Sequence, residues 1–180
     1  MWSTIARFGL SEGESKLLLD RNPLPPDCSF LELPKVNAAV RELMDVKLRE
    51  HDDCIVQKQR LLAAALAGIG ATVSPYLGEL DESESTLLQP LFDAARLLEM
   101  VFHSKSVMRR TMLIRLINPN FQETVEEAEI GEFLFGTDLL ERIRQAKTLK
   151  QSAADLQKPC LLYTSPSPRD RTRSRMPSSA

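Results

Sequence analysis

Apolar residues recur at three- and four-residue steps along two long stretches of the chain, a spacing that places them on single helical faces. The first stretch runs from Asp53 and carries Ile55, Val56, Gln59, Leu62, Leu66, Ile69 and Val73. It predicts a core helix that Gly68 and Gly70 weaken and Pro75 ends, because glycine costs about 1 kcal/mol and proline about 3 relative to alanine in a helix interior. Residues 81–85 then read as a polar turn. The second stretch carries Leu87, Leu88, Leu91, Ala95, Leu98, Val101 and Phe102, with Thr86 and Gln89 at capping-box spacing and Pro90 near the first turn. A break is expected at 103–106, followed by a helix over 107–117 that stops at Asn118-Pro119. A fourth helix is expected from Asp138, with Glu141 three residues on and Leu139, Leu140, Ile143 and Ala146 along it.

The N-terminal part reads differently. Residues 1–20 hold a modest apolar pattern of Trp2, Ile5, Phe8 and Leu10 broken by Gly9 and Gly13, weakly helical at best. Pro23, Pro25, Pro26 and Pro34 push their preceding residues toward extended backbone, so 21–34 reads as a linker or an arm laid along a surface. Asn37 is placed to cap a short helix through Met44, with Val40 and Leu43 on one side. No segment alternates long enough to count as a strand, no heptad register is sustained and no fixed-period repeat occurs. The expected fold is all-α, an irregular bundle of about four main helices with an extended proline-rich N-terminal arm.

The C-terminal residues change the composition. Cys160-Leu-Leu-Tyr-Thr-Ser165 and Pro166-Ser-Pro-Arg-Asp170 match the translation of an inverted transposase end and the sequencing adapter behind it, and Ser174-Arg-Met-Pro-Ser-Ser-Ala180 reads as the flow-cell end. Order, frame and spacing agree, so 160–180 is expected to be a foreign, disordered tail, set aside before fold reasoning. The expected organisation is a weakly structured arm and linker over 1–36, a truncated helical domain over 37–159, and the tail.

That tail holds four of the 23 Lys and Arg and one of the 25 Asp and Glu, so the body carries 19 against 24, a formal charge of −5 rather than −2. An acidic body gives no global signal for nucleic acid, and such binding would need a local patch. Two of the three cysteines remain in the body, Cys28 and Cys54, which make no disulfide framework; without a signal peptide the expected setting is a reducing intracellular one. No run of about 18 apolar residues is present to span a membrane.

Candidate chemistry is sparse. His51 and Cys54 form an H-x-x-C pair, but zinc needs four ligands, and Cys28 and His103 lie at no helpful spacing, so no metal or cofactor is expected. Cys54 reads as a small buried residue rather than a nucleophile. Acidic clusters at Asp52-Asp53, 81–84 and 123–132 have no partnered histidine or glycine-rich loop and read as solvated surface. Lys105 and Arg109 share a helix face, with Arg110 and Arg115 on neighbouring faces, which makes a small positive cluster able to meet phosphates weakly and without sequence preference. A zinc knuckle and an aromatic stacking platform are both lacking.

Four stretches occur in an order that carries a resemblance: Leu33-Pro-Lys-Val-Asn37; Asp53-x-x-Val56-x-x-Gln59-Arg60-Leu61-Leu62; Arg109-Arg110-x-x-Leu113-x-x-x-Ile117-x-Pro119; and Phe133-Leu134-Phe135-Gly136-x-Asp138-Leu139. Over about residues 23–150 the chain resembles the gag-like product of DIRS-type retrotransposons, the tyrosine-recombinase retroelements. It departs from their pattern at Ala38-Ala39, where Pro-Glu is expected. The resemblance implies a non-catalytic structural role: self-assembly and RNA packaging in a cytoplasmic particle, with reverse transcriptase and recombinase encoded elsewhere. In the last stretch Leu134, Phe135, Gly136, Asp138 and Leu139 either dock the final helix or form an assembly contact. A helical protein-protein interaction module of other ancestry is the alternative reading.

Overall fold

The computed structural model describes residues 2–76 and 82–156, the side chains of 82–85 excepted; the 160–180 tail and part of the 81–84 acidic cluster lie outside them. The fold is all-α. Among the described residues there are seven α-helices, α1 (Trp2–Phe8), α2 (Glu12–Arg21), α3 (Ala38–Arg41), α4 (Val46–Val73), α5 (Glu82–Ile114), α6 (Pro119–Glu126) and α7 (Leu139–Leu156), with short 3-10 turns at Ser29–Leu31 and Ser74–Tyr76. One compact unit ends at Ala146; the described part of a second, from Lys147, is the end of α7. No helix among the described residues is long and apolar enough to cross a membrane.

Two helices dominate, 28 and 33 residues long, and both exceed what the spacing predicts. α4 starts before Asp53, because Asp45 in extended backbone accepts the Leu48 amide at 2.7 Å and caps the helix about two turns earlier. It ends at Val73, as Pro75 requires. α5 runs through both the expected start at Thr86 and the expected break at 103–106. Gln89 bonds Asp93 at 2.9 Å, one turn on, instead of closing a capping box, and Pro90 sits inside the helix. The 103–106 segment stays helical because Phe102 and Ser106 are buried against α4, and packing outweighs weak propensity there. Partners such as Asp52 with Arg109 and Gln59 with Ser106 show that α4 and α5 run antiparallel.

The N-terminal residues are more helical than their pattern suggests. Ser11 and Glu14 form a reciprocal capping box that starts α2, and hydrogen bonding to Ser11 holds the Glu14 carboxyl below its ordinary range. Gly9, at φ +75°, turns the chain between α1 and α2, a conformation glycine adopts without steric cost. Neither helix buries a residue. The proline-rich segment after α2 does reach the interior: Leu31 is buried with Ala63 and Phe102, with Leu24, Cys28 and Leu33 packed around them.

A second, larger core gathers Val40, Met44, Leu113, Ile114, Ile117, Val125, Leu134, Phe135 and Leu139 from α3, α5 and the turns after them, α6, the turn before α7 and the first residue of α7. Asn118-Pro119 does more than stop α5. Asn118 accepts the Asn120 amide at 3.0 Å with proline in the first turn, so the same pair starts α6.

Candidate functional site

The four stretches that carry the resemblance meet in space. Consecutive residues on a helix point about 100° apart, and α5 uses this at Arg109 and Arg110 to hold two different neighbours. Arg109, 2% exposed, reaches α4: its Nε and Nη2 donate to the two carboxylate oxygens of Asp52 at 2.7 and 3.0 Å. Its Nη1 donates to the Pro34 carbonyl at 2.8 Å and to Gln59 Oε1 at 3.2 Å. Gln59 is fully buried and uses its amide nitrogen on the Phe102 carbonyl at 3.2 Å and on Ser106 Oγ at 2.8 Å. Carboxylate and guanidinium are thus matched in a bidentate pair, and each buried polar group around them has a partner.

Arg110 turns the other way. Its guanidinium donates to the carbonyls of Val125 at 2.7 Å and Glu126 at the C-terminal end of α6 and of Ala128, just beyond it, at 2.5 Å. The same group lies over the Phe135 ring, 5.6 Å from its centroid. Burial lowers the Arg110 guanidinium from its ordinary range, an effect the nearby Glu126 opposes and Arg142 reinforces.

The chain around Pro34 then runs beside the chain around Phe133. The Lys35 amide donates to the Glu132 carbonyl at 2.8 Å and the Leu134 amide to the Lys35 carbonyl at 3.0 Å, an isolated parallel bridge closed at the surface by a Lys35 to Glu132 ion pair. Asn37 extends it with its side chain: Nδ2 donates to the Gly136 carbonyl at 2.7 Å and Oδ1 accepts the Phe135 amide at 3.2 Å. This corrects its expected role, since Asn37 precedes α3 yet makes no side-chain cap. Gly136 has φ +71°, and a Cβ there would lie 3.2 Å from Asp138 Oδ1. The positive φ is what calls for glycine here, since the exposed Asp138 side chain could move aside for a Cβ. Replacing Asn37 with alanine strands the Phe135 amide and the Gly136 carbonyl, and should destabilise the chain by about 1–3 kcal/mol in urea melts; an unchanged midpoint would show that the bridge is dispensable.

Several sequence-based assignments change accordingly. The small basic cluster does not form: Arg109 is buried and consumed by Asp52, half-buried Arg110 is engaged by the end of α6, and half-buried Lys105 and exposed Arg115 are left of the four cations. Leu134, Phe135 and Leu139 are core, with Leu134 and Phe135 fully buried. Asp138 pairs at 3.5 Å with Arg142 one turn on in α7. The aspartate that matters on α4 is Asp52, which sequence reading assigned to solvated surface; exposed Asp53 is not it. Cys54 is exposed, not buried, because the inner face of α4 is set by Asp52, Ile55, Gln59 and Ala63, and Cys54 falls on the opposite side. His51 and His103 are also exposed, and the described residues contain no group of three or more histidine, cysteine or carboxylate side chains placed to hold a metal.

Comparison with curated proteins and with solved structures found no match. The family described as Domain of unknown function (DUF8747) matches residues 1–137. That span takes in Pro34, Asn37, Asp52, Gln59, both arginines, Phe135 and Gly136, so the network lies within the unit that the family defines. The chain belongs to the Domain of unknown function (DUF8747) family.

Proposed function

We propose that this chain is a non-catalytic structural protein of a retroelement, one that self-associates and contacts RNA weakly and without sequence preference. One observation carries the reading. Asn37, Gln59 and Arg109 of the motif stretches are spent inside the fold and Arg110 is held by the end of α6, while large apolar side chains stand on its outside, among them Trp2, Phe8, Leu97, Met100 and Leu149. Catalysis needs polar groups presented to a substrate, whereas assembly needs apolar surface presented to a partner. The proposed architecture is an irregular helical bundle in which two of the four expected main helices are joined as α5, with the proline-rich segment 21–34 as the arm laid against α4 and α5.

RNA plays a small part in this reading. Lys105 and Arg115 are ten residues apart, about 15 Å along the helix, and two separated cations release few counterions. Binding should therefore be lost steeply only if other cations contribute.

The alternative, a helical interaction module, draws on one feature. A half-open groove of about 410 Å³ is lined by Phe30, Leu31, Leu66 and Phe92 among others, and suits an apolar side chain of a partner peptide. Sedimentation velocity of the full chain over a wide concentration range, with and without added RNA, separates the two. Reversible growth of oligomers with concentration is expected, with little change on adding RNA; a chain that stays monomeric at every concentration favours the module.

A further inference from the structure

The inner face of α5 is set by Phe102, Ser106, Arg109 and Leu113, all buried. The opposite face is not polar, as a solvated helix face would be. Leu97, Met100, Val101, Val107 and Met108 stand there, with exposures of 61, 62, 39, 41 and 47%. Sequence spacing assigned Val101 to the core; the structure leaves it outside, because α5 turns its Phe102 side to α4. The sequence of this face has a symmetry, broken only where exposed Thr111 answers Leu97. Ser104, small and exposed, lies at its middle, with Val101 and Val107 three residues to either side and Met100 and Met108 four. Exposed Asp93 and exposed Arg115 stand eleven residues to either side, so acid brackets one end and base the other.

We infer that this face of α5 pairs with the same face of a second copy of the chain, antiparallel about a two-fold axis at Ser104. This rests on the self-association reading and names its surface. In that arrangement residue pairs equidistant from Ser104 oppose each other: Val101 meets Val107, Met100 meets Met108, and Asp93 meets Arg115, each contact occurring twice by symmetry. A parallel pair would set Asp93 against Asp93 and Arg115 against Arg115, so charge selects the antiparallel one. Ser104 on the axis permits close approach, and the methionines adapt to an imperfect fit. The partners Asp93 has within one chain, Arg96 at 3.4 Å and Gln89 at 2.9 Å, are surface neighbours on α5 and leave its carboxylate at the exposed edge.

The size of the face sets the strength. From Asp93 to Arg115 is about 33 Å of helix, and a strip about 10 Å wide covers on the order of 330 Å² per copy. A stable interface needs about 800 Å² per partner. The contact is therefore weak and concentration-dependent, as suits a subunit that assembles through several such faces.

Charge reversal tests it in the full chain. Asp93→Arg and Arg115→Asp each turn two attractive contacts into repulsive ones, and should each weaken dimerisation about tenfold by sedimentation velocity. The double variant D93R/R115D restores the pairing and should return to within about threefold of wild type. Both sites are exposed, so melting temperatures should match wild type; Met108→Glu, which places a carboxylate within the strip, provides a second disruption at an exposed site and should leave mostly monomer. If wild type associates and none of these variants alters it, the α5 face is overturned while self-association through another surface stands. Weakening by the single reversals without rescue by the double overturns the antiparallel geometry. A wild type that never associates overturns the reading on which the inference rests.

Discussion

Replacing Arg109 with alanine should unfold the chain or lower its melting temperature by roughly 10 °C or more. The substitution leaves the Asp52 carboxylate inside the protein with no cation, and removes the donor to the Pro34 carbonyl and to Gln59 Oε1. Breaking one side of a buried ion pair costs about 3–5 kcal/mol, a large share of the 5–15 kcal/mol that holds an ordinary domain together. Lysine should not rescue, because it cannot span both carboxylate oxygens and also reach the carbonyl. Removing both charges, as Asp52→Leu with Arg109→Met, should recover part of the loss but not all, since Pro34 and Gln59 stay unsatisfied. Circular dichroism melts of the three variants beside wild type decide the matter. An Arg109→Ala chain that melts with wild type would mean that the pair contributes nothing to stability.

This expectation reverses what sequence alone suggests for Arg109, and the reason is physical. An arginine pair on an amphipathic helix reads as a cation cluster because spacing reports which residues share a face, not what lies opposite. Asp52 sits 57 positions away, on a helix whose inner face the apolar count assigns to Ile55, Val56 and Gln59. A charged residue on that face goes uncounted by a method that tallies apolar ones. Gln59 was the available signal: a long polar side chain in the middle of an apolar stripe needs a buried partner.

Helix content was legible, and helix ends much less so. Pro75 ends α4 where it should, and Asn118-Pro119 marks the boundary between α5 and α6. The starts failed where a competing cap lay upstream, as with Asp45, or where tertiary contacts carried the helix through a weak stretch, as at Phe102 and Ser106. Ser11 and Glu14 were a readable capping box, yet the glycines around them masked it. Asn37 shows a different limit. Asparagine is a good cap and also a side chain that imitates a backbone amide, and only the distant segment at Phe135 and Gly136 decides which use it serves.

The remaining question at the fourth motif was whether Phe135 docks the last helix or forms an assembly contact, and its full burial beneath Arg110 sets the expectation. Phe135→Ala should cost about 3–5 kcal/mol, the usual result of emptying a phenylalanine-sized volume in a packed core. Here the loss includes the cation-π contact from Arg110, and it weakens the packing of Leu113, Val125 and Leu134 in the same cluster. Leu140, five residues on and 58% exposed, gives the comparison: Leu140→Ala should leave the melt within about 0.5 kcal/mol of wild type, as surface changes do. The two measurements separate folding from assembly. If Phe135→Ala melts normally while its oligomers vanish, the side chain works at an interface and the core assignment fails. If it melts early in dilute, monomeric solution, the motif is what joins the segment at Asn37, α5 and the turn before α7 into one folded unit, and any loss of oligomers follows from unfolding.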